Sequence, residues 1–281
     1  MREYPRPGVA VFALHHNTGF AGHLWLEATA RLRAGTIGRH SEVDLFLPDD
    51  EELSLRHLLA LVKQDAGGLR LRIADLATSA GFQSEEGGVL RAVEANGVLV
   101  LRAASYSFFA IPTGGQAPWN RHADDPWRTL PRRVVVAEPR TPRSPPAWRP
   151  GARVGETSVS FVNGPEEPGP EPALAPGEPV AGQLAIANGG LEERLSVGAK
   201  ALERGIILGR YSRCSGDTSV MTGAVSRVHA VLISVEGLVH IIDAGSTNGV
   251  LVGEAQVKCA PVEPGAVYSL GTMRVRWDPT H

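Results

Sequence analysis

The chain has 281 residues, room for two ordinary domains or one large one. Its 28 Lys and Arg against 30 Asp and Glu leave a formal charge of -2, so no overall basic field selects a nucleic acid or a membrane surface as partner. Hydrophobic residues at 43% and charged residues at 21% match soluble globular averages, whereas 32 Gly and 21 Pro predict many turns and argue against an all-helical protein.

The longest apolar runs, such as Val9–Leu14 and Leu58–Val62, are five or six residues. A membrane-spanning helix needs about 20, so no span is expected. The opening Met1-Arg2-Glu3-Tyr4-Pro5 leads to a short apolar stretch broken by His15-His16, with no secretory pattern. With only Cys214 and Cys259, a disulfide framework is excluded and a cysteine metal site would lack two ligands. The expected compartment is the cytoplasm, with no cofactor.

In chain order, residues 1–112 read as short strands separated by turns. Leu58–Lys63 and Leu69–Ile73, divided by Gln64–Gly68, are one such pair. The histidines His15, His16 and His23 do not make a metal site, because adjacent strand residues face opposite ways and no Cys or carboxylate pair completes a ligand set.

Residues 113–180 read as a linker. Fourteen of the 21 prolines lie there, and nothing repeats with a helix or strand period. Trp119–Arg153 carries eight Arg against three carboxylates, and Val154–Val180 carries five Glu and no Lys or Arg. Such a segment is either a solvated polyampholyte or, given Trp119, Trp127 and Trp148, a docking arm. Thr157–Val162 has the composition to pair as a strand.

Residues 181–281 return to strands. His229–Val235, Glu236-Gly237 and Leu238–Asp243 make an apolar, β-branched hairpin around a Gly-containing turn. Strands and turns at this spacing predict an all-β chain with a β-sandwich in each half.

The halves also match each other, an internal duplication. Thr36-Ile37-Gly38-Arg39 corresponds to Ile207-Leu208-Gly209-Arg210, and Ser54-Leu55-Arg56-His57 to Ser226-Arg227-Val228-His229. The stretch Asp75–Gly81 corresponds to Asp243–Gly249.

In the second copy three blocks stand at predicted strand ends: Gly209-Arg210, Ser226-Arg227-Val228-His229 and Asp243-Ala244-Gly245-Ser246-Thr247-Asn248-Gly249. Brought together, they supply guanidinium, hydroxyl and carboxamide donors, which suit an anion with several oxygens. Arg210 can engage two oxygens at once, Ser226 and Thr247 can donate to others, and Asn248 can bracket an extended peptide backbone. Phosphate on a side chain fits this set. Gly249 supplies a turn conformation other residues resist.

These blocks, in this order and spacing, resemble the forkhead-associated (FHA) domain, strongly over residues 180–281 and weakly over 8–112. The resemblance implies an eleven-stranded sandwich of two sheets that reads phosphothreonine peptides with loops at one end. It implies that Arg210 and Ser226 hold the phosphate, that Thr247 assists, and that Arg227 touches phosphate or flanking peptide. Asn248 then bonds peptide backbone, and Gly209, His229 and Gly249 support the site. Asp243 is structural, since a carboxylate facing phosphate would repel it.

The first copy keeps Arg39, Ser54 and His57, a vestigial site, but has Leu55 at the motif arginine, Ser79 at the threonine and Ala80 at the asparagine. Its expected binding is impaired. Arg56 could compensate only by leaving its own face of the strand.

The implied function is a phosphothreonine-peptide-binding adaptor in Ser/Thr kinase signalling. Its partners would be phosphothreonine-containing proteins, either Ser/Thr kinases or their substrates, with no nucleic acid and no membrane. The linker threonines Thr129, Thr141 and Thr157 fall within tethered reach of the Arg210 loops, so an intramolecular contact belongs to this reading. The competing reading is a phosphorylation-independent interaction scaffold. An enzyme is not expected: Ser226, His229 and Asp243 have the residue types of a triad, but no nucleophile elbow or α/β alternation accompanies them.

Overall fold

The computed structural model describes residues 6–84, 87–114, 172–216, 220–221 and 223–280, and the backbone of 133–135 and 157–163. Most of the linker, including Trp119, Trp127, Trp148, Thr129 and Thr141, lies outside the described residues. The first strands are β1 (Gly8–His15), β2 (Gly19–Glu27), β3 (Arg33–Gly38), β4 (Leu45–Phe46), β5 (Leu58–Asp65) and β6 (Gly68–Asp75). They are followed by β7 (Phe82–Ser84), β8 (Val89–Ala95), β9 (Leu99–Ala103), β10 (Tyr106–Thr113), β11 (Arg133–Val135) and β12 (Thr157–Asn163). Next come β13 (Val180–Asn188), β14 (Leu191–Gly198), the short helix α1 (Ala199–Arg204), β15 (Ile206–Leu208), β16 (Ala230–Val235) and β17 (Leu238–Asp243). The last are β18 (Val250–Val252), β19 (Ala255–Val257), β20 (Cys259–Pro261), β21 (Val267–Leu270) and β22 (Met273–Pro279). Among the described residues the chain is all-β apart from that one helix.

The chain forms two compact units that do not follow the order of the sequence. One holds residues 1–35, 60–75 and 80–164, and the other holds 36–59, 76–79 and 165–281. In the first unit the strands neighbour in the order β2-β1-β10-β9-β7-β8-β6. Alternation of apolar residues drives the packing: Val9, Val11, Leu71, Ile73, Val93, Leu101 and Phe108 are all nearly inaccessible to water. The Thr157–Val162 run does pair: β12 runs antiparallel along β8, from Val159 opposite Ala95 to Val162 opposite Ala92, and β11 lies parallel to β12.

In the second unit residues 172–280 build two sheets. Six strands follow the order β14-β13-β22-β21-β18-β19 and four follow β15-β16-β17-β20. That makes ten strands among the described residues, one fewer than the resemblance implies. Leu184, Ile186, Leu208, Leu232, Ile241, Val250, Leu270, Val275 and Trp277 form one core cluster drawn from both sheets. The hairpin β16–β17 closes as expected, with Val235 opposite Leu238. Glu236 and Gly237 both have positive φ, 55° and 77°, the mirror-image turn whose twist matches antiparallel strands. The helix α1 arises because Ala-Lys-Ala-Leu-Glu-Arg contains only strong helix formers. It buries Ala201 and Leu202 and ends at Gly205, whose N–H bonds the Ala201 carbonyl.

Candidate functional site

Strand β15 ends at Leu208, and Gly209 passes so close to the second motif loop that a Cβ there would collide with the Arg227 carbonyl. That approach lets two backbones run side by side: Arg210 N–H donates to Ser226 O at 3.2 Å and Tyr211 N–H to Arg227 O at 3.0 Å. The Arg210 Nε donates to Val225 O at 3.0 Å, which aims the guanidinium, and the residue is otherwise exposed.

His229 sits beneath, with no exposure to water. Its Nδ1 accepts the Ser226 N–H at 3.0 Å. The ring proton of the neutral imidazole is therefore on Nε2, which donates to Gly249 O at 2.9 Å. Burial pushes this imidazole below its ordinary pKa, only partly opposed by the Gly249 carbonyl and by Asp243, so the neutral ring is the form that serves. One buried side chain thus ties the Ser226 loop to the Asp243–Gly249 loop. Gly249 itself has φ +71°, the left-handed conformation its residue type permits.

The third loop closes over the second. The Thr247 N–H donates to Ser226 Oγ at 3.2 Å and Asn248 Nδ2 donates to Ala224 O at 2.7 Å. Asp243 turns inward, its Oδ1 accepting the Ser246 N–H at 3.0 Å. The Ser246 hydroxyl is buried without a hydrogen-bond partner among the described residues. Arg210, Arg227, Thr247 and Asn248 are exposed, Ser226 is half-buried, and Gly209, His229 and Gly249 are buried. The outcome is a surface of donors, two of them cationic, on a rigid buried frame.

The same frame recurs in the earlier segment. Arg39 N–H donates to Ser54 O, His40 N–H to Leu55 O, His57 N–H to Ile37 O and Leu76 N–H to His57 O. Ser54 N–H meets His57 Nδ1 at 3.1 Å, and Arg39 Nε meets Leu53 O at 3.2 Å. Each has its counterpart around Arg210 and His229. What differs is the surface: half-buried Leu55 stands where Arg227 is exposed, and Ser79 and Ala80 occupy the exposed positions of Thr247 and Asn248.

A triad is incompatible with this geometry. His229 meets the Ser226 backbone through Nδ1 and a carbonyl through Nε2, so neither nitrogen is left to take a proton from Ser226 Oγ. The histidines near the start are placed differently from the strand argument: His15 and His16 stack at 5.1 Å because β1 ends between them and alternation stops there. No group of three or more His, Cys, Asp or Glu suited to a metal occurs among the described residues. Sequence reasoning missed the Val225 and Ala224 carbonyls, since a backbone acceptor leaves no trace in residue type. It weighed Arg56 only as a substitute for the motif arginine of its own copy, whereas this side chain is buried with both Nε and Nη2 donating to Gly245 O, 189 residues away.

Residues 206–271 match the family model described as FHA domain. No curated protein matches the chain. Among solved structures, the Slr1951 protein from Synechocystis sp. is 22% identical, with 36% of this chain and 99% of that chain covered and a TM-score of 0.31. The FHA-1 domain of Mycobacterium tuberculosis Rv1747 is 20% identical, covering 35% and 98%, at a TM-score of 0.28. Mycobacterium tuberculosis EmbR, solved in complex with a low-affinity phosphopeptide, is 20% identical, covering 39% of this chain and 28% of its own, at a TM-score of 0.27.

Proposed function

We propose that this chain, which carries an FHA domain at residues 206–271, is a phosphothreonine-peptide-binding adaptor that works in Ser/Thr kinase signalling. FHA domains are binding modules. The observation that carries the reading is the convergence of Arg210, Ser226, Arg227, Thr247 and Asn248 at one surface, framed by Gly209, buried His229 and Gly249. A phosphorylated threonine brings about -1.5 to -2 charges and three acceptor oxygens, which need charge-assisted donors of this type. In this reading Arg210, Arg227 and Ser226 hold phosphate, Thr247 assists, and the Asn248 carboxamide, anchored on Ala224 O, presents its oxygen to peptide backbone.

The proposed organisation is a degenerate FHA-like sandwich at 1–112, a linker at 113–180 and the binding module at 181–281. Arg39, Ser54 and His57 then retain the frame of a site whose surface has lost its grip. The partners are phosphothreonine-containing proteins, kinases or their substrates, met in the cytoplasm. No helix among the described residues is long and apolar enough to cross a membrane. The test is titration of the full chain against a degenerate phosphothreonine-peptide library and its unphosphorylated counterpart. Selective binding of the phosphorylated set is expected, and equal binding of both sets would point instead to a phosphorylation-independent scaffold.

A further inference from the structure

We infer that Arg56 is a positioning residue for the phosphate-binding loop Asp243–Gly249, acting through the Gly245 carbonyl; this rests on the reading above. Arg56 belongs to the same compact unit as that loop. It is 6% exposed, and two of its nitrogens converge on one acceptor, Nε donating to Gly245 O at 2.8 Å and Nη2 to the same oxygen. The next peptide N–H, that of Ser246, is held by Asp243 Oδ1 at 3.0 Å. The Gly245–Ser246 peptide group is therefore gripped at both its oxygen and its nitrogen, which sets its plane. The following N–H, on Thr247, is the one that meets Ser226 Oγ, so the plane set by Arg56 determines where Thr247 and Asn248 leave the loop.

A guanidinium taken out of water is costly unless it is used. Burial lowers the Arg56 pKa, Asp243 and Glu42 oppose that shift, and Arg227 adds to it. This cation is thus held among the charges of the binding loops, not among solvated surface groups.

Two further contacts make the arrangement specific. Gly245 has φ +76°, and a Cβ there would lie 2.9 Å from Glu42 O, so only glycine lets the loop approach the segment that carries Arg56. The other edge of the loop is tied through Lys258, whose carbonyl accepts the Asp243 N–H at 2.9 Å. The Lys258 ammonium pairs with Asp44 Oδ2 at 2.8 Å, and Asp44 in turn accepts the Thr36 N–H at 2.7 Å. Residues 36–59, whose own surface departs from the motif, thus clamp the third motif loop at two places.

The experiment measures affinity of the full chain for an immobilised degenerate phosphothreonine-peptide library, together with the amide NMR signals of Thr247 and Asn248. Arg56→Ala should weaken binding on the order of tenfold, within the range of coupled sites, and shift both amides before any peptide is added. Arg56→Lys, which restores a single donor, should recover part of the affinity, and Arg56→Met, which fills similar space without a donor, should not. Gly245→Ala should reproduce the Arg56→Ala effect and keeps the test open if that variant does not fold. Wild-type affinity and unmoved amides in folded Arg56→Ala and Gly245→Ala, with Arg210→Ala still inactive, would overturn the positioning role alone. Absence of phosphopeptide binding by the wild-type chain would overturn the reading beneath it as well.

Discussion

The Thr247 backbone N–H donates to the Ser226 side-chain oxygen at 3.2 Å, joining two loops 21 residues apart in the chain. Because Ser226 Oγ accepts in this bond, its own hydroxyl hydrogen is free to donate outward. The relationship orients a donor and pins the residue before Asn248 in a single contact. It accounts for a hydroxyl at 226, whereas any residue but proline would supply the backbone N–H at 247.

Arg210→Ala is expected to abolish phosphopeptide binding while the fold persists, because the side chain is exposed and, among the described residues, its one framework bond is to Val225 O. Truncating a partner in a charged hydrogen-bonded pair costs about 2–5 kcal/mol. Calorimetric titration checks affinity and circular dichroism checks the fold. Undiminished affinity would remove Arg210 from the site.

Asn248→Ala should lower affinity toward that of a site carrying Ala80 at the same position. The carboxamide is held by Ala224 O at 2.7 Å, and its removal loses both that anchor and the acceptor offered to peptide. A loss of about 1–3 kcal/mol follows from leaving a peptide N–H unpaired. Binding unchanged in Asn248→Ala would show that the backbone is gripped elsewhere.

Phosphothreonine should be preferred over phosphoserine, as the family resemblance implies. One methyl in an apolar pocket contributes about 1–3 kcal/mol, so a ratio of roughly 10 to 200 is expected from paired peptides differing only there. Equal affinities would argue against a methyl pocket.

Acid should destabilise the protein through His229. Its folded pKa is depressed below 6.5 by burial, so between the two values the unfolded chain binds the proton and the folded one does not. The stabilisation is complete above about pH 6.5 and is lost as pH falls toward the folded value. His40 is shifted the same way, by burial and then by Arg56, and contributes in the same window. Urea midpoints measured from pH 7.5 to 5 should fall with acid, and His229→Gln should flatten the slope. An unchanged slope in that variant would place the acid sensitivity elsewhere.

Gly209→Ala should destabilise the domain by at least about 1–3 kcal/mol, the cost of overpacking, because its Cβ meets the Arg227 carbonyl and pushes apart the loop segments bearing Arg210 and Ser226. Gly38→Ala should do the same, since its Cβ meets the Leu55 carbonyl. Thermal unfolding of each variant checks this, and a tolerated Gly209→Ala would mean that the two backbones need not approach.

Local chemistry made much of the protein legible from its residues alone. The turn at Glu236-Gly237, the β-branched strands beside it and the order of the three motif blocks depend on neighbours within a few positions, so the amino-acid sequence by itself determined the hairpin, the all-β class and the candidate donors. The repeat of Gly-Arg and Ser-x-x-His likewise marked the two segments whose hydrogen-bonded frames are alike. Tertiary structure alone decided the pairing of β12 with β8 and the use of Arg56 on Gly245 rather than on the surface of its own copy. The physical reason is that a strand edge or a buried carbonyl accepts any suitably placed donor. Which donor arrives depends on how the whole chain minimises exposed apolar area and unpaired polar groups, a balance no local pattern carries.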